Sequence, residues 1–127
     1  VKEDRIAFLD DFGKNFVNWS DDNPPISKDM LHYLKTVASF ASPKATQDCI
    51  TAFAKTDFRE DLKKFDVPTL IVHGEADEIV PIDASAEKAA KLIPNNRFER
   101  IAGAPHGLNL THTKEFNRVL LNFLSDV

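Results

Sequence analysis

A continuous apolar run after Pro68 limits the folds that are open to this chain. Residues 69–72 read Thr-Leu-Ile-Val, rich in β-branched side chains and without polar alternation. Such a run is typical of a strand in a parallel sheet whose two faces are covered. A helical segment follows, and then residues 97–101 alternate polar and apolar side chains as a second strand does. The strand-helix-strand order predicts an α/β fold with parallel strands.

The chain before Pro68 has the pattern of helices. Apolar residues recur at steps of three and four in three segments, the first of which carries a Phe-rich stripe. Ser27 and Ser42 are placed to cap the second and third helices, and Pro43 suits the first helical position. The first stripe consists of Ile6, Leu9, Phe12 and Phe16 on one helix face. The buried sides are predicted to hold Met30, Leu31, Leu34, Val37 and Ala38 in the second helix, and Ala45, Cys49, Ile50 and Phe53 in the third.

Further helices are expected beside the predicted strands. Asp57 and Glu60 have the spacing of a capping box, which predicts a short helix through Leu62. Asp83 is expected to cap the helix between the two strands. The closing segment places Phe116, Val119, Leu120 and Phe123 on one face of a final helix that packs on the sheet.

Each predicted strand ends in a loop that carries an ionisable side chain. Asp77 follows the first strand, and His106 follows the second strand 29 residues later. Because the carboxyl ends of neighbouring parallel strands meet at one edge of a sheet, we expect these side chains within bonding distance. A carboxylate on one imidazole nitrogen orients the ring as a general base. Either residue alone would fit an ordinary loop, but the pair predicts a catalytic acid and base.

Three passages of the chain resemble one protein family. They are Asp48-Cys49-Ile50 with Ala52-Phe53 and Thr56-Asp57-Phe58; residues 73–81, His-Gly-Glu-Ala-Asp-Glu-Ile-Val-Pro; and Ala104-Pro105-His106-Gly107-Leu108 with Thr111-His112. Together they are similar to the C-terminal portion of the cofactor-free haloperoxidase and arylesterase (perhydrolase) branch of the α/β-hydrolase superfamily. The resemblance implies a helical cap, or lid, over residues 1–56 and part of the hydrolase core over residues 57–127. Members usually have Asp where this chain has Glu75, but the triad carboxylate aligns with Asp77.

The resemblance also implies a function. Its members are serine hydrolases in which a Gly-x-Ser-x-Gly elbow supplies the nucleophile, followed along the chain by the acid and the base. The glycines here are Gly13, Gly74, Gly103 and Gly107, and none brackets a serine. We therefore expect the nucleophile and the oxyanion hole in polypeptide outside this chain. The complete enzyme is expected to act on small esters, or to make peracids from an organic acid and hydrogen peroxide, without cofactor or metal.

Two other interpretations remain open. The chain could be a truncated, non-catalytic remnant that self-associates or binds the missing N-terminal half. The strand at residues 69–72 has the composition of a strand with neighbours on both sides, and an unpaired edge of such a strand pairs with another chain. A relative with an Asp nucleophile, similar to haloacid dehalogenases or epoxide hydrolases, is the third interpretation, which the cap passages disfavour.

Composition and the remaining polar residues narrow the possible partners. A formal charge of −4 with interspersed signs argues against nucleic-acid binding. The single Cys49 and the absence of an apolar leader favour a cytoplasmic protein without a membrane span. Glu75 and Glu78 with His73 could suggest a metal site, but the spacing of clustered ligands is missing, and His112 is expected to bond near a helix terminus. The cap aromatics that could line an acyl pocket are Phe8, Phe12, Phe16, Trp19, Phe40, Phe53 and Phe58.

Overall fold

The computed structural model describes residues 3–127 and divides into two compact units, Val1–Asp57 and Phe58–Val127. The first unit contains helices α1 (Arg5–Phe16), α2 (Lys28–Ser39) and α3 (Pro43–Lys55). The second contains α4 (Arg59–Leu62), β1 (Thr69–Gly74), α5 (Ala86–Leu92), β2 (Asn96–Ile101), α6 (Leu108–Thr111) and α7 (Thr113–Ser125). The boundary lies beside the one predicted at residue 56; the lid role of residues 1–56 stays a prediction.

Side-chain caps begin the three helices of the first unit. Ser27 Oγ accepts from the Met30 amide at 3.1 Å, and Ser42 Oγ accepts from the Ala45 amide at 3.3 Å. Both predicted caps are confirmed. Pro43 is the first residue of α3, where the missing N–H of proline costs nothing because a first-turn amide has no partner within the helix. Asp4 caps α1, because its Oδ1 accepts from the Ala7 amide at 2.9 Å. This cap was not predicted from the sequence.

Polar contacts join α1 to α2. The guanidinium of Arg5 donates to three carbonyls at the end of α2, those of Ala38, Ser39 and Ala41, at 2.7–3.1 Å. Asp10 on α1 accepts from Lys14 and from Lys35 of α2, both at 2.7 Å. Hydrogen bonds from Lys14 and then Lys35 lower the pKa of Asp10 to about 2. Charged and polar contacts therefore join the two helices.

The predicted burial of the second and third apolar stripes is wrong for the described residues. Neither α2 nor α3 contains a buried residue, and Phe53 is 73% exposed. Cys49, expected as core packing, is also exposed. Helical periodicity shows that a helix has an apolar face, but only a neighbouring element can bury that face.

The second unit is built on two parallel strands. β1 and β2 pair from Thr69 with Asn96 to Gly74 with Ile101, and α5 lies between them in sequence. Both α5 and α7 pack against the strands. The core consists of Ile101, Ala104 and Leu108, with Val72 and Phe116 against them. The α/β class and the parallel strands predicted from the sequence are confirmed.

The short helix predicted through Leu62 is present as α4, and Phe58 is the residue directly before it. The predicted start of the next helix is wrong. The helix α5 begins at Ala86 instead of directly after Asp83. Residues 82–85 form turns instead, in which the Ser85 hydroxyl donates to the Pro81 carbonyl at 2.8 Å. Asp and Ser favour turns as readily as caps, so their presence alone did not locate the helix start.

Among residues 3–127, every helix is too short and too polar to cross a lipid bilayer.

Candidate active site

A close backbone approach at the ends of β1 and β2 creates the candidate site. The amides of Glu75 and Ala76 donate to the carbonyls of Ile101 and Ala104, each at 3.0 Å. A Cβ on Gly74 would lie 2.2 Å from the Ala104 carbonyl oxygen, so only glycine fits at this position. The two loops that leave the strands are thereby held side by side.

Asp77 lies in the first of these loops and is buried, with 8% of its surface exposed. Its Oδ1 accepts from the amides of Ile79 at 3.0 Å and Val80 at 2.9 Å, and its Oδ2 lies 2.7 Å from His106 Nδ1. Burial alone would raise the pKa of Asp77, but the hydrogen bonds from Val80, His106 and Ile79 outweigh it and lower that pKa. Asp77 is therefore ionised at neutral pH.

His106 lies in the second loop, after the buried Pro105. The side chain of His106 is 32% exposed, whereas that of Asp77 is 3% exposed. An ionised carboxylate can only accept, so the nitrogen that faces it, His106 Nδ1, carries a hydrogen. In the neutral ring Nε2 is then the basic nitrogen, as a general base requires. The structure thus brings together the two residues that the sequence singled out; their catalytic roles are taken up below.

A second imidazole, that of His73, also faces Asp77. His73 Nε2 lies 3.2 Å from Asp77 Oδ2 and 2.9 Å from the Val80 carbonyl oxygen. Sequence reasoning considered this ring as a possible metal ligand and assigned it no contact with Asp77. The available signal was its place on β1, four residues before Asp77 and one before the obligatory Gly74.

The other polar residues considered from the sequence lie apart from this pair. Glu75 and Glu78 are exposed, and residues 3–127 contain no group of three or more His, Cys, Asp or Glu placed to hold a metal ion. His112 precedes α7, and its Nδ1 lies 2.8 Å from Thr111 Oγ1, in keeping with the expected bond near a helix terminus.

Comparison with known proteins identifies the fold family. A sequence model described as the alpha/beta hydrolase fold matches residues 32–113. This chain belongs to the α/β-hydrolase fold family. The resemblance to its haloperoxidase branch is confirmed by relatives named non-heme chloroperoxidase, and the structure matches the C-terminal half of the fold.

Three relatives show how much of such proteins the chain represents. It is 42% identical to a putative non-heme chloroperoxidase of Synechocystis sp., over 98% of this chain and 45% of that protein. It is 46% identical to a bifunctional esterase/perhydrolase of Acinetobacter calcoaceticus, over 64% of this chain and 29% of the relative. The crystal structure of a bromoperoxidase from Bacillus anthracis superposes with a TM-score of 0.92 at 51% identity, over 98% of this chain and 45% of that one. The chain therefore spans less than half the length of these relatives.

Proposed function

We propose that this chain supplies the acid and the base of a Ser-Asp-His triad in a hydrolase of small carboxylic esters. His106 is the general base, and Asp77 orients it. Formation of peracids from an organic acid and hydrogen peroxide is the further activity proposed. The observation that carries the proposal is the 2.7 Å contact between His106 Nδ1 and the buried carboxylate of Asp77.

The geometry suits the proton transfers of acyl transfer. When a serine hydroxyl attacks an ester carbonyl, its proton passes to His106 Nε2, and the ionised Asp77 stabilises the resulting imidazolium. His106 then returns the proton to the departing alkoxide, which leaves an acyl-serine. Water completes hydrolysis by the same route, and hydrogen peroxide in place of water releases a peracid. No step in this sequence uses a metal or a cofactor.

The nucleophile and the oxyanion hole are proposed to come from polypeptide outside these 127 residues. The sequence contains no Gly-x-Ser-x-Gly motif, and the relatives are more than twice as long as the segment that they share with it. In this fold the oxyanion hole uses the amide after the nucleophile and another from an early loop. The chain alone is therefore expected to be inactive.

A fusion protein tests the proposed roles. The part of the Bacillus anthracis bromoperoxidase that this chain does not cover is joined upstream of Val1, and hydrolysis of p-nitrophenyl acetate is measured. Asp77→Asn and His106→Gln are each expected to lower kcat by about 10³-fold or more, because each removes one member of a unit. Glu78→Gln, an exposed acid beside Asp77, is the control and should stay within about twofold of the parent. A folded but inactive fusion, or full activity in the Asp77 and His106 variants, contradicts the proposal.

Covalent labelling separates the chain from the complete enzyme. A serine-directed organophosphonate should label the fusion stoichiometrically and leave the 127-residue chain unlabelled, because the chain lacks the elbow that presents a nucleophile. Intact-mass spectrometry reads both outcomes. Stoichiometric labelling of the chain alone would place the nucleophile within it and refute this division of the triad.

A second candidate function is that of a non-catalytic module that binds a copy of itself or the N-terminal half of a hydrolase. The observation that favours it is β1, whose Thr69–Gly74 backbone pairs with β2 alone in the described sheet. A strand with an unpaired edge is a template for another strand.

A further inference from the structure

The acid–base step proposed above leaves the partly buried imidazole of His73 without a role. His73 is the next-to-last residue of β1, and its side chain is 13% exposed. Its Nε2 lies 2.9 Å from the Val80 carbonyl oxygen and 3.2 Å from Asp77 Oδ2. Both distances are within hydrogen-bonding range, and both neighbours belong to the loop that holds the triad carboxylate.

The chemistry of these neighbours decides which nitrogen of His73 carries a hydrogen. A backbone carbonyl oxygen can only accept, and so can the ionised carboxylate of Asp77. A ring nitrogen this close to two acceptors is therefore protonated. His73 Nε2–H donates to the Val80 carbonyl, and Asp77 Oδ2 lies 3.2 Å from the same nitrogen as an electrostatic contact.

These contacts join the loop and the carboxylate into one unit. Val80 donates its amide to Asp77 Oδ1 at 2.9 Å while its carbonyl accepts from His73. Oδ1 is thus held by loop amides, whereas Oδ2 is bonded to the ring of His106, with the ring of His73 3.2 Å away. A carboxylate held at both oxygens has little freedom to rotate away from His106.

We propose that His73 is a positioning residue whose Nε2–H fixes the Val80 carbonyl, and through Val80 the amide that holds Asp77 Oδ1, so that Oδ2 stays directed at His106 Nδ1. The inference rests on the proposed pairing of Asp77 with His106 as acid and base. His73 acts through Asp77 and touches no substrate. Without its donor the carboxylate rotates more freely, and His106 spends part of its time without a partner for Nδ1–H.

Nitrogen-15 NMR of the unmodified 127-residue chain gives the first test. The chemical shifts of ring nitrogens distinguish protonated from bare nitrogens at each histidine. For the neutral rings the expected result is a protonated Nε2 on His73 and a protonated Nδ1 on His106. A bare Nε2 on His73 would overturn the inference without any substitution.

Two substitutions at His73 separate the donor from the ring. His73→Phe keeps an aromatic ring without a donor, and His73→Gln places an amide N–H within reach of the same acceptors. Exchange of the His106 Nδ1 hydrogen with water is expected to be about tenfold faster in His73→Phe, because the Val80 carbonyl loses its donor and the loop that holds Asp77 is less restrained. His73→Gln, and the control His32→Phe at an exposed helical site, should stay within about twofold of the parent.

The outcomes of these measurements are distinct. Unchanged exchange in His73→Phe, or exchange in His73→Gln as fast as in His73→Phe, overturns the inference. If His73→Phe does not fold, the nitrogen shifts of the parent and the exchange rate in His73→Gln decide by the same criteria. Since none of these readouts needs a nucleophile, an inactive fusion protein would refute the proposed function and leave the His73 result standing.

Discussion

At the scale of single residues, the Asp77 carboxylate shows how a buried acid is kept ionised. Burial is the largest influence on its pKa and by itself raises it. The amides of Val80 and Ile79 and the ring of His106 donate to the charged form, and their combined effect leaves the pKa below the ordinary value of 3.8. The contacts that orient the Asp77 carboxylate towards His106 also lower its pKa in the folded chain, and this makes the free energy of unfolding depend on the ionisation of Asp77.

Asp77→Asn is expected to weaken the dependence of stability on acid. Because the pKa of Asp77 is lower in the folded chain than in the unfolded one, its contribution is present above the unfolded value and is lost as pH falls through the folded value. Urea unfolding between about pH 5 and pH 2 should show the free energy of unfolding of the parent falling more steeply than that of Asp77→Asn. Asp10, with its pKa of about 2, supplies a remaining slope in both proteins.

The exposed Asp83→Asn is the matched control for this measurement and should keep the slope of the parent. Equal slopes in the parent and Asp77→Asn would show that the hydrogen bonds to Asp77 do not favour its charged form.

Gly74→Ala is expected to break the site by sterics alone. The new Cβ would lie 2.2 Å from the Ala104 carbonyl oxygen and 2.7 Å from that of Pro105, and backbone atoms cannot move aside as a flexible side chain can. We expect a loss of about 1–3 kcal/mol in the free energy of unfolding, as for other overpacked sites. The His106 Nδ1 hydrogen should also exchange faster with water, because the two loops separate.

Gly13→Ala is the same chemical change but is expected to raise the free energy of unfolding instead of lowering it. Gly13 lies within α1, and its added Cβ would make an ordinary contact with Leu31 Cδ1 at 3.4 Å. Alanine should therefore stabilise by roughly 0.5–1 kcal/mol through helix propensity. A Gly74→Ala protein as stable as Gly13→Ala would refute the close approach of the loops.

At the scale of secondary-structure elements, Arg5 closes the end of α2 from α1. A helix leaves its last carbonyls without partners and carries partial negative charge there. The guanidinium of Arg5 donates to the carbonyls of Ala38 and Ser39 in the last turn and to that of Ala41 just beyond it, and its buried Nε has no partner among residues 3–127. The planar fork satisfies several acceptors at once, which an ammonium group cannot do from one position.

Arg5→Ala is expected to lower the free energy of unfolding by roughly 1–3 kcal/mol, because three carbonyls at the end of α2 lose a charged donor. Arg5→Lys should recover only part of this loss, since it restores the charge but not the fork. Urea titrations followed by helical circular dichroism measure both. Full recovery in the lysine variant would show that charge alone, and not the shape of the donor, holds the end of the helix.

The elements also show what the sequence could predict. Ser27 and Ser42 were predicted as caps because each is followed at once by a long periodic segment. Asp57 and Asp83 precede short helices within turn-rich stretches, where a polar residue has several local bonding choices. Arg5 was not predicted, because its partners lie more than thirty residues away along the chain.

At the scale of the whole molecule, topology was easier to predict than burial. The approach of Asp77 to His106 follows from strand order alone, since two successive parallel strands end at one edge. The approach of His73 to the same carboxylate depends on loop conformation, which no periodicity encodes. Burial depends on neighbouring elements, which a sequence pattern does not specify. The composition of β1 is that of a fully covered strand, yet most of β1 is half-buried, and α2 and α3 contain no buried residue.

The sheet of two strands leads to the last prediction, which concerns assembly. β1 and β2 pair with each other and with no other described strand, so each has an edge of free backbone donors and acceptors. Sheets of only two strands are marginal in isolation, and further strands at the edges would stabilise this one. We expect the chain to self-associate between low and high micromolar concentration, as measured by sedimentation velocity.

Adding the upstream part of the Bacillus anthracis bromoperoxidase as a separate polypeptide should replace self-association by a one-to-one complex, because its strands would compete for the same edges. Ester hydrolysis should appear in that complex and disappear again in its His106→Gln form, which links assembly to the proposed triad. If the chain stays monomeric at high micromolar concentration and does not bind the added polypeptide, the sheet edges are not binding surfaces. The proposed active site would then have no route to a nucleophile by association.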